Sequence, residues 1–192
     1  LLEWGWDASA LIVRDREDDD PLLQRYQNAG GSLRHCLKLE GNRRVLDEEI
    51  SSAFVLLDGV LGTGIRLPVR GDLAELLGYA KELISTPFEE PTAVVAVDCP
   101  SGIDCDSGEV DPVCIPAHLP VTMAAVKQGL LKFPAFSFLG QLVGVGIGLP
   151  EGLSALEKIQ RRVVDASWVE DVMPERPLNA HKGTFGTALI AA

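Results

Sequence analysis

Two short apolar runs, each ending in an aspartate, constrain the fold of this chain more than any other feature. They are VLLD at 55–58 and VVAVD at 94–98. Strands that are apolar along their whole length are typical of parallel sheets covered on both faces. Ligands of open parallel sheets bind beyond the carboxyl ends of the strands. The pattern therefore predicts that Asp58 and Asp98 lie at one edge of a parallel sheet.

Other apolar runs alternate with amphipathic stretches along the chain. Strands are predicted at Ala10–Val13, Leu33–Leu39, Ala53–Leu57, Ala93–Val97, Val121–Val126 and Leu142–Ile147. Helices are predicted at Leu22–Asn28 and from Asp72 to about Ser85, the second with Asp72 as its cap and Glu75 three residues later. This order favours a doubly wound α/β fold over an α/β barrel, which needs about 250 residues.

Composition restricts the partners and the cellular compartment. The 192 residues carry a formal net charge of −11, which disfavours nucleic acid and anionic membranes as partners. The longest apolar runs, at 93–97 and 141–150, are shorter than the roughly 18 residues of a membrane span. The four cysteines form no CxxC pair, which disfavours a zinc site or a disulfide scaffold. We therefore expect reduced thiols and a cytoplasmic location.

A loop rich in small residues follows each aspartate. The loop at 59–71 contains Gly62, Thr63 and Gly64, whose glycines allow positive φ and close approach of a ligand. The loop at 99–111 offers the Ser101 hydroxyl and several carboxylates. Neither loop matches GxGxxG, and GVGIG at 144–148 runs into a proline instead of a helix.

Each of these features also has a purely structural interpretation. An aspartate at a strand end is often only a cap or turn former, and a lone GTG is a weak signal. Asp104 and Asp106 fit a solvated acidic turn better than a divalent-metal site. Lys127 fits a phosphate contact and an exposed surface residue equally well. Single residues therefore leave the function open.

Four segments taken together are more specific. They are LLDGVLGTGIRLPVRG (56–71), VVAVDCPSGIDCDSGEV (94–110), VTMAAVKQGLL (121–131) and LVGVGIGLP (142–150). Their order and spacing resemble the NAD(P)H-hydrate epimerase family. The resemblance implies a Rossmann-like three-layer α/β/α fold with a mostly parallel sheet. It also implies epimerisation of the R and S forms of hydrated NADH and NADPH, which are damaged cofactors with a hydroxyl added to the nicotinamide ring.

The far end of the chain has a second resemblance. The segment RPLNAHKGTFGTALIAA (176–192) is similar to the entry strand of the NAD(P)H-hydrate dehydratase, which uses ADP or ATP. The resemblance implies an epimerase domain over 1–164, a linker over 165–180 and the first strand of a dehydratase domain over 181–192. The parent protein is then expected to be a bifunctional epimerase and dehydratase.

The resemblance also implies roles for individual residues. Asp58 and Ser101 match the family's potassium ligands. Asp98 matches its substrate-contacting carboxylate, and we expect it to act as the catalytic acid or base; Lys127 is a second, weaker candidate for a substrate contact. The substrate-wrapping loop corresponds to Gly62, Thr63, Gly64, Ile65, Arg66, Leu67 and Pro68.

The chain departs from the family at its N-terminus. The family has an Asn-containing, glycine-rich stretch near the start of the domain, and this sequence does not contain it. We therefore expect an N-terminally truncated domain, without its first strand and loop, that is inactive alone. A non-catalytic Rossmann-like binding module remains the alternative function. An NAD-dependent oxidoreductase is disfavoured, because the sequence lacks the GxGxxG dinucleotide-binding fingerprint. The sequence leaves the formation of a homo-oligomer open.

Overall fold

The computed structural model describes residues 1–16, 19–86, 91–150, 152–175, 177–181 and 183–189. Within them the chain forms two compact units, Leu1–Leu149 and Pro150–Ala192, which are treated separately. None of the described helices is long and apolar enough to cross a membrane.

The strands of the first unit form two parallel sheets. β1 (Ser9–Ile12) pairs with β2 (Ser32–His35). β3 (Val55–Asp58), β4 (Ala93–Val97), β5 (Leu119–Met123) and β6 (Val143–Val145) form a second sheet in that order. Every pairing is parallel, which confirms the predicted α/β class with parallel strands.

Five of the six strands differ in their bounds from the prediction, and β4 alone matches it. β1 covers 9–12 instead of 10–13, and β3 covers 55–58 instead of 53–57. β2 covers four residues instead of the predicted 33–39, and β6 is limited to 143–145 instead of 142–147. β5 begins at Leu119 and ends at Met123 instead of covering 121–126. Ala124 has a φ of 63°, which extended backbone does not allow, so the strand ends before it.

Three helices connect the strands. α1 (Pro21–Asn28) is capped by Asp20, whose Oδ1 accepts the N–H of Leu22 at 2.8 Å. α2 (Arg43–Ser51) was not predicted, and it contacts α3. α3 (Asp72–Ser85) has the predicted range. Its predicted cap is wrong: Gly71, with a φ of 66°, is the N-cap without a side-chain hydrogen bond, and Asp72 is the first helical residue.

The core lies on one side of the four-stranded sheet. Leu77 of α3 packs with Val94 and Ala96 of β4, and all three are buried. The opposite face is exposed at Val55, Leu57, Val97, Met123 and Val145. Within the part of the chain that the structure describes, the expectation that both faces of the sheet are covered is therefore met on one face only.

The second unit contains two short helices and no buried residue among those described. They are α4 (Ser154–Glu157) and α5 (Ala166–Val172), and α5 falls within the predicted linker. Of the predicted strand at 181–192, residues 181 and 183–189 contain no strand, whereas 182 and 190–192 lie outside the described residues. The domain boundaries of the sequence analysis therefore stay predictions.

Candidate functional site

The two aspartates lie at the same edge of the sheet. β3 and β4 are parallel, with Asp58 opposite Ala96, so Asp98 follows the end of the neighbouring strand. Asp98 has a φ of 73°, which is uncommon for a residue other than glycine. The edge therefore carries two carboxylates from adjacent strands, as the sequence predicts.

Asp58 is joined to Ser101, and both residues are buried. The Ser101 hydroxyl donates to Asp58 Oδ1 at 2.5 Å, and the Ser101 backbone N–H donates to Oδ2 at 2.7 Å. The same hydroxyl accepts the N–H of Leu61 at 2.9 Å. Ser101 thus connects the end of β3 to the loop that follows it.

The Asp58 carboxylate has no cationic partner among the described residues. Burial raises its pKa above the ordinary value, and the two hydrogen bonds from Ser101 reverse only part of that rise. This is a site where an ionised carboxylate gains from a bound cation. The hydrogen bonds from Ser101 engage both carboxylate oxygens of Asp58. Each oxygen still has a further lone pair with which it can bind a cation.

Asp98 has a different environment. Its Oδ1 accepts the N–H of Met123 at 2.9 Å and a short hydrogen bond from Lys127 Nζ. The same ammonium donates to Thr122 Oγ1 at 3.1 Å and to the Met123 carbonyl at 2.8 Å. Partial burial raises the pKa of Asp98, but hydrogen bonds from Lys127 and Met123 outweigh it, so the pKa lies below its ordinary value. At neutral pH, Asp98 is ionised beside an ammonium.

The glycine loop lines an open groove of about 410 Å³. Gly64 adopts a φ of 79°, whereas Gly62 does not have a positive φ, so only one of the two predicted glycines uses that freedom. Asp58, Asp98, Ser101 and Lys127 do not line the groove. The groove residues are Arg14, Leu61, Gly62, Thr63, Gly64, Ile65, Arg66, Pro68, Val69, Arg70 and Leu73.

Asp111 connects the two loops, a role that the sequence does not predict. Its buried carboxylate accepts the N–H of Val69 at 2.7 Å and that of Val113 at 3.1 Å. Val69 belongs to the groove loop and Asp111 to the end of the second loop. Nothing in the local sequence pattern separates this aspartate from its acidic neighbours Asp104 and Asp106.

The acidic turn is a solvent-exposed structural turn. Asp104 Oδ1 accepts the N–H groups of Asp106 at 2.9 Å and Ser107 at 2.8 Å. Across the described ranges no group of three or more His, Cys, Asp or Glu side chains is arranged to hold a metal ion. The four cysteines are buried and free.

Comparison with known proteins identifies the family to which this chain is related. The family model described as YjeF-related protein N-terminus matches residues 1–129. A solved structure, that of the yeast protein ynu0, has a TM-score of 0.58 at 16% identity, covering 76% of this chain and 56% of that one. This likeness supports the Rossmann-like α/β/α class predicted from the sequence.

Curated relatives point the same way. A bifunctional NAD(P)H-hydrate repair enzyme of Moorella thermoacetica is 33% identical over 98% of this chain and 35% of its own length. The enzyme of the same name from Escherichia coli is 31% identical over 91% of this chain and 32% of its length. The chain thus spans about a third of these relatives. By the extent of the family match, the chain belongs to the family of YjeF-related protein N-termini.

Proposed function

We propose that this chain carries an NAD(P)H-hydrate epimerase domain, which interconverts the R and S forms of hydrated NADH and NADPH. The main support is the pair of carboxylates at one sheet edge, one buried with Ser101 and the other paired with Lys127. The names of the relatives add a second line of support. A binding module without activity would not need both arrangements.

The substrate is proposed to bind along the loop 62–68. This loop borders an open groove of about 410 Å³, the size range of small-molecule sites. Leu61 lines the groove and donates to Ser101, so the groove adjoins the buried pair. In this arrangement the phosphates lie along the loop and the nicotinamide ring lies toward Asp98 and Lys127.

Asp98 is proposed to assist the departure and return of the ring hydroxyl. Loss of the hydroxyl leaves positive charge on the ring, and an ionised carboxylate stabilises that charge. The hydroxyl leaves as water with a proton taken from solvent, and the ionised carboxylate accepts a proton from the water that adds back to the ring and returns it to solvent, so no net proton is consumed. Lys127 keeps Asp98 ionised through a short hydrogen bond, and its other two N–H groups are held by Thr122 and the Met123 carbonyl.

A potassium ion is proposed at Asp58 and Ser101. The buried carboxylate without a cationic neighbour, and the hydroxyl 2.5 Å from it, fit a monovalent cation that binds oxygen ligands. When bound, such an ion would supply the positive charge that the protein does not provide there. Its proposed effect is to order the loops that meet at Ser101.

The wider assignment follows from the same resemblance. We propose that 165–180 links the epimerase domain to an NAD(P)H-hydrate dehydratase domain that begins at 181–192 and uses ADP or ATP. The bifunctional names of the relatives support this arrangement. The free cysteines support the proposed cytoplasmic location.

The test is an epimerisation assay on the protein as encoded in full. Separated R or S hydrated NADPH is supplied, and the appearance of the other epimer is followed by chromatography. Asp98→Asn is expected to slow the reaction by about 10²–10⁴-fold, as is usual when a catalytic acid or base is removed. Asp106→Asn, in the exposed turn, is the matched control and should keep the wild-type rate. A full rate in Asp98→Asn contradicts the catalytic assignment, and no epimerisation by the wild type contradicts the function.

A further inference from the structure

The groove beside the glycine loop has an unusual charge for this protein. Three of its lining residues are arginines, Arg14, Arg66 and Arg70, and none is an aspartate or glutamate. The chain as a whole has 28 acidic and 17 basic residues and a net charge of −11. Three cations and no acidic residue along the lining of a groove, on an acidic protein, indicate a site for an anion.

The three arginines also differ from others in their pairing. Four other arginines, Arg16, Arg25, Arg34 and Arg44, lie 2.6–3.8 Å from a carboxylate. Within the described residues, Arg14, Arg66 and Arg70 have no such ion pair. All three side chains are exposed. Their guanidinium groups are therefore accessible to a ligand.

The shape of the loop leaves room for that ligand. A methyl group added at Gly62 or Gly64 would meet nothing within 4 Å, so the space beside this backbone is open. Guanidinium groups bind both carboxylate and phosphate oxygens through two parallel hydrogen bonds, and a phosphate has the additional oxygens and charge to engage several arginines at once.

Arg14 lines the groove from a different part of the fold. It follows β1, whereas all the other lining residues come from 61–73. Two arginines on the loop can serve the two charges of a dinucleotide pyrophosphate. A third cation exceeds that need, but it suits the ribose phosphate of the NADP form, which adds about −1.5 to −2 charges at neutral pH if it ionises as other phosphate monoesters do.

We propose that Arg14, Arg66 and Arg70 form a phosphate clamp, in which Arg14 makes the domain prefer the dinucleotide with the additional ribose phosphate. The clamp rests on the proposed function for its ligand, because it assigns the phosphate-bearing part of that substrate. It determines specificity and takes no part in the transfer of protons at Asp98.

The clamp is tested by equilibrium binding of NADP⁺ and NAD⁺, which are unreactive probes, to the protein as encoded in full. The wild type should bind NADP⁺ about tenfold or more tightly than NAD⁺, since a charged hydrogen bond to one phosphate contributes at least that factor. Arg14→Gln should lose most of this preference and keep its NAD⁺ affinity within about twofold. Arg66→Gln and Arg70→Gln should weaken both ligands.

A matched control is available in Arg44, an exposed arginine paired with Glu48 on α2. Arg44→Gln should leave both affinities unchanged, and the urea midpoints of all variants should match that of the wild type. Equal wild-type affinities for NAD⁺ and NADP⁺, or an equal loss of both in Arg14→Gln, would overturn the clamp.

The two proposals fail in different ways. If NADP⁺ is preferred through Arg14 but hydrated NADPH is not epimerised, the function is wrong and the clamp stands. If epimerisation occurs at equal efficiency with hydrated NADH and hydrated NADPH, and Arg14→Gln changes neither, the clamp is wrong and the function stands.

Discussion

The substitution that examines the buried pair most directly is Ser101→Ala. Ser101 has no solvent exposure, and its hydroxyl makes two hydrogen bonds, one to Asp58 and one from Leu61. Alanine removes both bonds and adds no atom that could clash. The Ser101 backbone N–H still donates to Asp58 Oδ2, so the carboxylate keeps one partner.

The expected loss of stability follows from these contacts. A hydrogen bond to a charged group contributes about 1.5–3 kcal/mol, and a buried N–H left without an acceptor costs about 1–3 kcal/mol. Because neighbouring effects do not add fully, we expect the free energy of unfolding to fall by about 3 kcal/mol in total. With a urea m-value of about 1–3 kcal/mol/M, the urea midpoint should fall by roughly 1–3 M.

The pH dependence gives a second signature. Because burial raises the folded pKa of Asp58 above 3.8, its contribution to stability is complete below that value and is lost as pH rises through the raised pKa. The Ser101 hydroxyl lowers the pKa of Asp58. Removing the hydroxyl therefore raises this pKa further and increases the stability that is lost as pH rises. The penalty of Ser101→Ala should therefore be larger at neutral pH than at about pH 4.

Urea unfolding followed by circular dichroism at both pH values measures these quantities. Ser85→Ala is the control, because its hydroxyl bonds only to the Lys81 carbonyl on an exposed helix surface, and it should change stability by no more than about 0.5 kcal/mol. If Ser101→Ala costs no more than Ser85→Ala, or if its cost is the same at both pH values, the assigned hydrogen bonds or the raised pKa of Asp58 are incorrect.

Two further predictions concern the packing of the second loop and the pair at Asp98. Gly129→Ala would place Cβ 2.5 Å from the Cys105 carbonyl carbon, so it should destabilise the fold by about 1–3 kcal/mol. Gly62→Ala is the control, because the space beside Gly62 is open and the substitution should be nearly neutral. Equal urea midpoints for the two variants would contradict this prediction. Lys127→Met should raise the pKa of Asp98, which carboxyl-carbon NMR measures. It should also remove the stability that the lowered pKa of Asp98 provides. That stability is present above the pKa of the unfolded chain and is lost as pH falls through the lowered pKa of the folded protein. Lys132→Met, which removes an ammonium that donates to a carbonyl, should leave Asp98 unchanged.

The parts of the fold that local patterns determine were predicted well. The strands ending at Asp58 and Val97 and the helix at 72–85 are where the apolar periodicity indicates. α2 was missed because it is mostly polar, with Leu46 and Ile50 as its buried residues. Those two residues join Leu76 of α3 in a core cluster, so the helix depends on a partner distant in sequence.

The candidate site divides in the same way. A strand-end aspartate and a glycine loop are visible in the sequence, and the motif order brings Ser101 and Lys127 into consideration. The pairing of Asp98 with Lys127 and the bridge from Asp111 to Val69 connect residues 29 and 42 positions apart. Such contacts depend on how the loops after β4 and β5 fold, and no local pattern encodes them.

The opposite pKa directions of the two aspartates separate their proposed roles. Neighbouring titratable groups whose environments move their pKa values apart are suited to different tasks. Asp98 has its counter-charge from Lys127, so it stays ionised without external help and is available to the reacting ring. Asp58 is buried without such a partner and its pKa is raised, so its ionised form gains from a cation supplied by solution. This contrast is why we assign the potassium ion to Asp58 and Ser101, and proton transfer to Asp98: exchanging these roles would leave a buried charge uncompensated and would put a second cation beside Lys127.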